Sequence, residues 1–445
     1  MSYVDRLRAR ERELGRPVRV GLVGAGQMGL GFVAQVGRMP GMEVAAIAEV
    51  VPERAERAFQ RSGRTGPGGS DKAVADPADG AAAIAAGRPV VVSDALALTR
   101  LPVDVIVDAS GVPEVGANVA FSGLMAGKDV ALLNVECDVT VGYLLATLAE
   151  RVGAVYTVCR GDEPVECRIL VDYVRDLGFE VVCAGKGKNN PLDPTATPAS
   201  QEQRAAAIGA SPKMLASFVD GSKTMIEMVA LANATGLRVA RRGMTGPAAT
   251  VPSLAQVFRP EADGGVLTAR GVVDYCTGPV APGVFVIGYC DDPVVMDEMA
   301  YLGMGQGPYY SFYRPYHLAS VEAPLSVARA VLDRAPSLVP RYWRAEVLAV
   351  AKRDLRAGEP MDGIGGQTVY GLASDAESAA REGLVPLGLA AGGRARRDVP
   401  AGTLLSHEDI AVDQSSTIAT LRRLQEALLA GQEPALFAGL PVKAA

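Results

Sequence analysis

The sequence predicts an α/β protein. A doubly wound parallel sheet comes first, an α+β domain follows, and a small β-rich module closes the chain. Three observations carry this. Short apolar runs alternate with helical stretches over roughly the first third. Cations and amides gather in AGKGKNNP (184–191), behind an apolar run. One phrase recurs near the end, KRDLRAGE at 352–359 and RRDVPAGT at 396–403.

At 445 residues the chain is too long for one ordinary core. The expected domains are 1–155, 156–340 (with 322–340 packing back on the first) and 341–445. The net charge of −6 and the lack of a dense basic run give no footprint for nucleic acid. No run approaches the ~18 apolar residues of a membrane span. The N-terminal MSYVDRLRARERELGRP lacks an apolar secretory core, so a cytoplasmic protein without membrane partners is expected. None of the six cysteines forms a C-x-x-C pair, and there are only two histidines, His317 and His407. The cysteines therefore read as core thiols, and a zinc site is improbable.

The first strand, VRVGLV from Val18, runs into Gly24-Ala25-Gly26-Gln27-Met28-Gly29, followed by helical LGFVAQVGRM and a second buried strand, MEVAAIAEV (42–50). This is the G-x-G-x-x-G turn of a Rossmann-type dinucleotide site. Gly24 permits the turn, Gly26 admits a pyrophosphate, and Gly29 allows close packing. Glu49, at the end of the second strand, is placed for the adenosine ribose. It would repel a 2′-phosphate and so favours NAD(H); Arg54 would instead suit NADP(H). SGRTGPGGSDK (62–72) reads as a surface loop. PVVVSDA (89–95), DVIVDASG (104–111) and KDVALLNVE (128–136) read as further strands, with a helix over PEVGANVAFSGLMAGK. Their carboxyl ends would bring Asp108, Ser110, Gly111, Asn134 and Glu136 to the nicotinamide end, although Asp108 and Ser110 would also serve as local caps.

In the middle domain, Lys186, Lys188, Asn189 and Asn190 form a Gly-rich strand end suited to an anion. A helix is expected from Ser222 to Gly236, with Lys223 and Glu227 four apart on one face and Ser222 at an anion-attracting start. GPYYSFYRPYHLASVE places Arg314 and His317 among aromatics, for anion capture and proton transfer. Asp162, Glu163 and Glu136 offer hard oxygen ligands for Mg or Mn, but no spacing is diagnostic and the metal stays unknown. DQSSTIATLRRLQEALLAG begins a final amphipathic helix near Ser415 or Ser416.

VRVGLVGAGQMG, DVIVDASGVPE, NVECDVTVG, AGKGKNNPLDPTATP, SPKMLASFVDGSKTMIEMVALANATG, RRGMTGP, YLGMGQGPYYSFYRPYHL and GIGGQTVYGL together resemble a family of homoserine dehydrogenase-like oxidoreductases with a C-terminal SAF domain. That family includes 1-deoxy-D-xylulose 5-phosphate reductoisomerase-like proteins. The echoed phrase with VPLGLAAGG resembles the SAF module itself. The resemblance implies an NAD(P)-dependent oxidoreductase acting on a small substrate, and it supports Lys223 in proton transfer. With the residue readings above, Lys186, Lys223, Glu136 and His317 are the expected catalytic residues, the substrate is expected to be anionic, and a homo-oligomer is expected. Its sharpest form is reductoisomerisation of 1-deoxy-D-xylulose 5-phosphate. A dehydrogenase of another sugar acid, polyol or hydroxy acid, and a dinucleotide sensor without turnover, stay open. Homoserine dehydrogenases carry a lysine directly after the strand-ending Asn; here Val135 follows Asn134.

Overall fold

The computed structural model describes residues 1–63 and 77–438. Most of the Gly-rich stretch expected as a surface loop, 64–72, lies outside the described residues. The chain divides into two compact units. The first comprises Met1–Asp162, Leu318–Val339 and Ser415–Ala445; the second comprises Glu163–His317 and Pro340–Gln414. Among the described residues, no helix is long and apolar enough to cross a membrane.

The first unit opens with helix α1 (Tyr3–Leu14) and is built on six strands: β1 (Val18–Val23), β2 (Met42–Ala48), β3 (Val90–Val92), β4 (Val105–Asp108), β5 (Asp129–Leu132) and β6 (Tyr156–Val158). They order as β3-β2-β1-β4-β5-β6, and every neighbouring pair is parallel. Burial on both faces explains the largely apolar runs of β1 and β2, broken only by Arg19 and Glu43, which pair with each other near the strand starts. Helices α2 (Gln27–Val36), α3 (Pro52–Arg61), α4 (Pro77–Ala85), α5 (Pro113–Met125) and α6 (Val135–Val152) supply the crossovers. The order reverses between β1 and β4, where such sheets take ligands.

KDVALLNVE is not one strand. β5 stops at Leu132, and the Asn134 side chain accepts the Cys137 N–H at 3.2 Å, capping α6. The backbone leaves the sheet because a capping side chain replaces the ladder at that point. Glu136 is thus a buried residue in the first turn of α6, not a strand-end residue.

Two later helices belong to this unit. Ala319–Asp333 packs on α2 at Gly31, where a Cβ would stand 2.3 Å from Ser320 Oγ. Thr417–Leu429 starts at the Ser416 cap, and the Glu114 carboxylate of α5 accepts the N–H groups of Thr417 and Ile418, both at 2.9 Å. A carboxylate from another helix therefore satisfies two orphan donors of the helix start.

The second unit runs α7 (Glu163–Asp176), β7 (Glu180–Gly187), α8 (Pro198–Ile208), α9 (Pro212–Val219), α10 (Ser222–Thr235), α11 (Leu254–Val257), β8 (Val272–Cys276), β9 (Val284–Tyr289), α12 (Pro293–Tyr301) and β10 (Tyr309–Arg314). Its sheet orders as β10-β9-β7-β8, with β7 parallel to β8 and antiparallel to β9. The glycines flanking Lys186 are strand residues rather than a flexible turn. A Cβ on Gly185 would lie 2.1 Å from Asp274 O, and one on Gly187 would lie 2.2 Å from Ala281 N. They are small because neighbouring backbone crowds them.

Two small sheets complete the unit, β11 (Ala345–Ala351) with β12 (Val369–Asp375) and β13 (Arg394–Ala395) with β14 (Ile410–Ala411). The echoed phrases pair with each other. Leu355 and Val399 exchange both backbone hydrogen bonds, at 2.8 and 3.0 Å. Ala401 N–H donates to Asp354 at 2.9 Å, and Ala357 N–H donates to Asp398 at 2.8 Å. Each contact has its twin forty-four residues away, so the repeat is a local twofold.

Candidate functional site

In the first unit, backbone shapes the candidate cofactor site. Gly24 has φ +85° and donates its N–H to Ala48 O at 2.9 Å. A Cβ on Gly29 would stand 2.0 Å from Gly24 O, so only glycine lets α2 start this close to the turn. Gly26 is the α2 N-cap without a side-chain bond, and a Cβ there would meet nothing within 4 Å. Gln27 and Met28 open the helix. The result is an open helix N-terminus facing a glycine turn, a fit for a pyrophosphate. Glu49 is buried; its carboxylate accepts the Ala25 N–H at 2.7 Å and the Val51 N–H at 3.1 Å. It therefore holds the turn, and a carboxylate bearing two such bonds still has lone pairs for ribose hydroxyls. Arg54 is exposed on α3.

At the end of β4, Asp108 is fully buried. Its carboxylate accepts Ser110 N–H at 2.9 Å and the Asn134 amide at 2.8 Å. Burial pushes its pKa up, against the donors that favour the anion. The Ser110 hydroxyl accepts Val112 N–H at 3.3 Å, and Gly111 makes the turn at φ +65°. These residues thus bind one another and shape the loop. Glu136 stands near them, in the first turn of α6.

In the second unit, side chains make the site. Lys186 on β7 is 5% exposed, and its ammonium lies between the carboxylates of Glu163, from the start of α7 (2.5 Å), and Glu227, from α10. Burial alone would lower its pKa, but the two carboxylates outweigh it and the net shift is upward. Lys186 is a fixed charge. Lys223 lies 3.9 Å from Glu227, and His317 Nε2 lies 3.4 Å from Glu163. The other imidazole nitrogen of His317 faces Pro282 O at 2.8 Å, so Nδ1 carries a hydrogen that this carbonyl accepts. Two carboxylates, two lysines and a histidine thus converge from α7, β7, α10 and the segment after β10. Between Glu163 and Glu227 the ammonium of Lys186 supplies the positive charge that balances the two carboxylates.

α10 is held at both ends by the module that follows. At its start, Ser222 Oγ accepts Gly371 N–H at 2.8 Å, and Asp220 pairs with the buried Lys352 at 2.7 Å. At its end, Asn233 Oδ1 accepts the N–H groups of Arg344 (2.8 Å) and Ala345 (2.9 Å), while its amide donates to Ala345 O at 3.0 Å. These bonds fix the helix that delivers Lys223 and Glu227.

The other expected anion binders are dispersed. Arg314 pairs with Glu166, which is 1% exposed, and stacks over Tyr316. Asn190 accepts from Arg204, and Asn189 is exposed. Ser222 is tied to β12 rather than presented at a helix start. Lys188, buried beside the cluster, donates to Phe218 O at 2.7 Å. Glu166, Asp220 as an ion-pair partner, and Lys352 escape sequence reading. Their signal is a charge placed within an apolar run, as with Glu166 in EPVEC, or at its end, as with Lys352 after AEVLAVA. All six cysteines are free thiols, and five are buried.

Comparison with known proteins places a function class on this segment. The model described as oxidoreductase DRL, catalytic domain, matches residues 161–323, and the SAF domain matches residues 346–411. No curated protein matches the chain. Many solved structures do. Among them is a myo-inositol dehydrogenase from Corynebacterium glutamicum, with 11% identity over 72% of this chain and 89% of that one, at TM-score 0.39. Another is 1-deoxy-D-xylulose 5-phosphate reductoisomerase from Zymomonas mobilis in complex with NADPH, with 20% identity over 48% and 57%, at TM-score 0.33. A third is the WlbA dehydrogenase from Bordetella pertussis in complex with NADH and UDP-GlcNAcA, with 16% identity over 42% and 50%, at TM-score 0.30. Likeness at this level says nothing about substrate. The matched segment contains every member of the second unit's charged cluster, and the chain is an enzyme that joins an oxidoreductase catalytic domain to an SAF domain.

Proposed function

We propose that the protein transfers hydride between a nicotinamide cofactor and a small polar alcohol or carbonyl compound. One observation carries this reading: the buried Glu163–Lys186–Glu227 set, with Lys223 and His317 against it, inside the segment matched to an oxidoreductase catalytic domain. A bound nicotinamide supplies or accepts the hydride. The turn of Gly24, Gly26, Gln27, Met28 and Gly29 would hold its pyrophosphate, with Ser110 and Gly111 at the neighbouring strand end. Glu49 would hold the ribose hydroxyls and favours NAD(H); exposed Arg54 is the group that would admit NADP(H).

Within the second unit, Lys186 and Lys223 stabilise negative charge on the substrate oxygen as the carbonyl and alcohol interconvert. Glu163 and Glu227 hold the lysines and offer acceptors to further hydroxyls, and the His317 imidazole against Glu163 is a further group for proton exchange. Glu136 in the first unit is a further acid for the nicotinamide end. No step is assigned to Mg or Mn.

The Arg314 charge is met by Glu166 and the Ser222 hydroxyl by Gly371, which favours an uncharged polyol or a hydroxy acid over a phosphate ester. Lys188, Asn189 and Asn190 would line its polar end. Purified full-length protein would be assayed by nicotinamide absorbance. Oxidation assays would use NAD or NADP with polyols, sugar acids and hydroxy acids, including homoserine. The reductive assay would use 1-deoxy-D-xylulose 5-phosphate, NADPH or NADH, and Mg. Cofactor reduction by a polyol or hydroxy acid supports the reading. A branched product from the sugar phosphate would instead make the protein a reductoisomerase. Dinucleotide binding with silence throughout would make it a sensor.

A further inference from the structure

The chain contains eight lysines against thirty-six arginines. Where arginine supplies nearly all the positive charge, lysine offers what arginine lacks, an ammonium able to give up its proton. Among the described residues three lysines are buried, Lys186, Lys188 and Lys352, and all three lie in the second unit. Lys223 beside them is 17% exposed. Three of these four face a carboxylate: Lys186 faces Glu163 and Glu227, Lys223 faces Glu227, and Lys352 faces Asp220. Lys188 differs. Among the described residues its ammonium has one partner, the Phe218 carbonyl at 2.7 Å, and no ion pair.

Its position is defined by the sheet. The Lys188 N–H donates to Cys276 O at 2.7 Å, carrying the ladder one residue past the end of β7. Two residues apart along an extended backbone, Lys186 and Lys188 project on the same side. A locked cation and an unlocked amine therefore stand next to each other. Burial, and after it the positive charges of Lys186 and Arg204, lower the pKa of Lys188 to about 8, while Asp220 and Glu227 pull the other way.

We infer that Lys188 is a catalytic residue that exchanges the proton of the substrate hydroxyl, with Lys186 beside it as a permanent charge. The inference rests on the oxidoreduction reading above. In the oxidative direction the carbinol C–H bond breaks, and its electron pair leaves with the hydrogen to the oxidised nicotinamide. The O–H bond breaks, and its proton goes to the lone pair of Lys188 Nζ. The C=O bond forms. In reduction the Lys188 ammonium returns that proton to the oxygen. The alcohol loses the two electrons that the nicotinamide gains.

Two measurements test this on the full chain. The first is kcat/KM for alcohol oxidation against pH. Wild type should rise through a pKa near 8. Lys188→Arg keeps a charge but cannot donate or accept near neutrality, so it should lose that limb and about a hundredfold or more in kcat. Lys188→Met should lose as much while binding the cofactor normally. A rise near 8 that persists in Lys188→Arg overturns the inference. So does a Lys188→Met variant that raises KM and keeps kcat, since the lysine is then only an anchor. The second is the NMR titration of isotope-labelled lysine side chains, assigned by the resonance lost in Lys188→Arg; it needs no turnover. A midpoint near 8 is expected, and one above about 10, the ordinary lysine range, overturns the inference whatever the activity. If Lys188 titrates near 8 but no alcohol or carbonyl compound is turned over, the oxidoreduction reading fails and the role falls with it. If turnover is present but insensitive to Lys188, the role alone fails.

Discussion

The glycine turn of the first unit and the charged cluster of the second are two ways of making a site. At the turn, the recognising groups are backbone N–H donors, and side chains matter mostly by being absent: a single Cβ on Gly29 would strike Gly24 O. At the cluster, side chains are everything, and Lys186 is held only because two acids from different helices reach it. The first kind of site fails through steric collision, the second through uncompensated charge. Substitutions should separate the two.

The largest effect is expected at the cluster. Lys186→Met leaves Glu163 and Glu227 buried without their shared cation, which should cost about 3–5 kcal/mol in urea unfolding. The loss should shrink in acid, where the carboxylates can take protons. Cofactor binding should survive if the units act as the contrast holds. Gly29→Ala should show the opposite pattern: dinucleotide affinity falls below detection in calorimetry, with overpacking costing about 1–3 kcal/mol. If Gly29→Ala binds normally, the turn is not the cofactor site. Glu49→Ala should weaken NAD by about tenfold, about 1.4 kcal/mol, and narrow the preference over NADP. Smallest is Glu114→Ala, which uncaps Thr417–Leu429 and should cost about 1 kcal/mol in thermal unfolding without changing kinetics.

Lysine titration sharpens the comparison within the cluster itself. The raised pKa of Lys186 means its pairing stabilises the fold fully below the unfolded lysine value of about 10.4, and that stability is lost only as pH rises through the still higher folded value. Lys188 has the opposite sign. Its folded pKa of about 8 lies below the unfolded one, so its buried charge costs stability below pH 8, relieved as pH climbs towards about 10.4. Lys188→Met should therefore be more stable than wild type at neutral pH, and a lower midpoint in urea would refute this.

The same contrast explains what could be read from the sequence. The parallel sheet and its glycine turn were legible because their signals are local: β1, the turn, α2 and Glu49 occupy some thirty consecutive residues. The SAF module announced itself by repetition. The cluster draws on positions 163, 186, 223, 227 and 317, and only the Lys223–Glu227 spacing is visible in one element. The glycines beside Lys186 suggested a flexible turn because sequence does not distinguish a glycine chosen for positive φ from one crowded by the next strand. Asn134 read as the end of a strand because an apolar run does not mark where a side-chain cap takes over from the ladder. Nor does any local pattern in the final helix foretell that Glu114, some three hundred residues earlier, caps it.

The reciprocal pairing of the two echoed phrases has the geometry of a symmetric dimer, with residue i of one copy meeting j of the other and the reverse. Here both partners are in one chain, about forty residues apart. Their encounter is intramolecular, with an effective concentration set by the tether and not by how much protein is present. Dilution therefore cannot loosen this contact, and every change made in one copy alone breaks a symmetry that a matched change in its twin would restore.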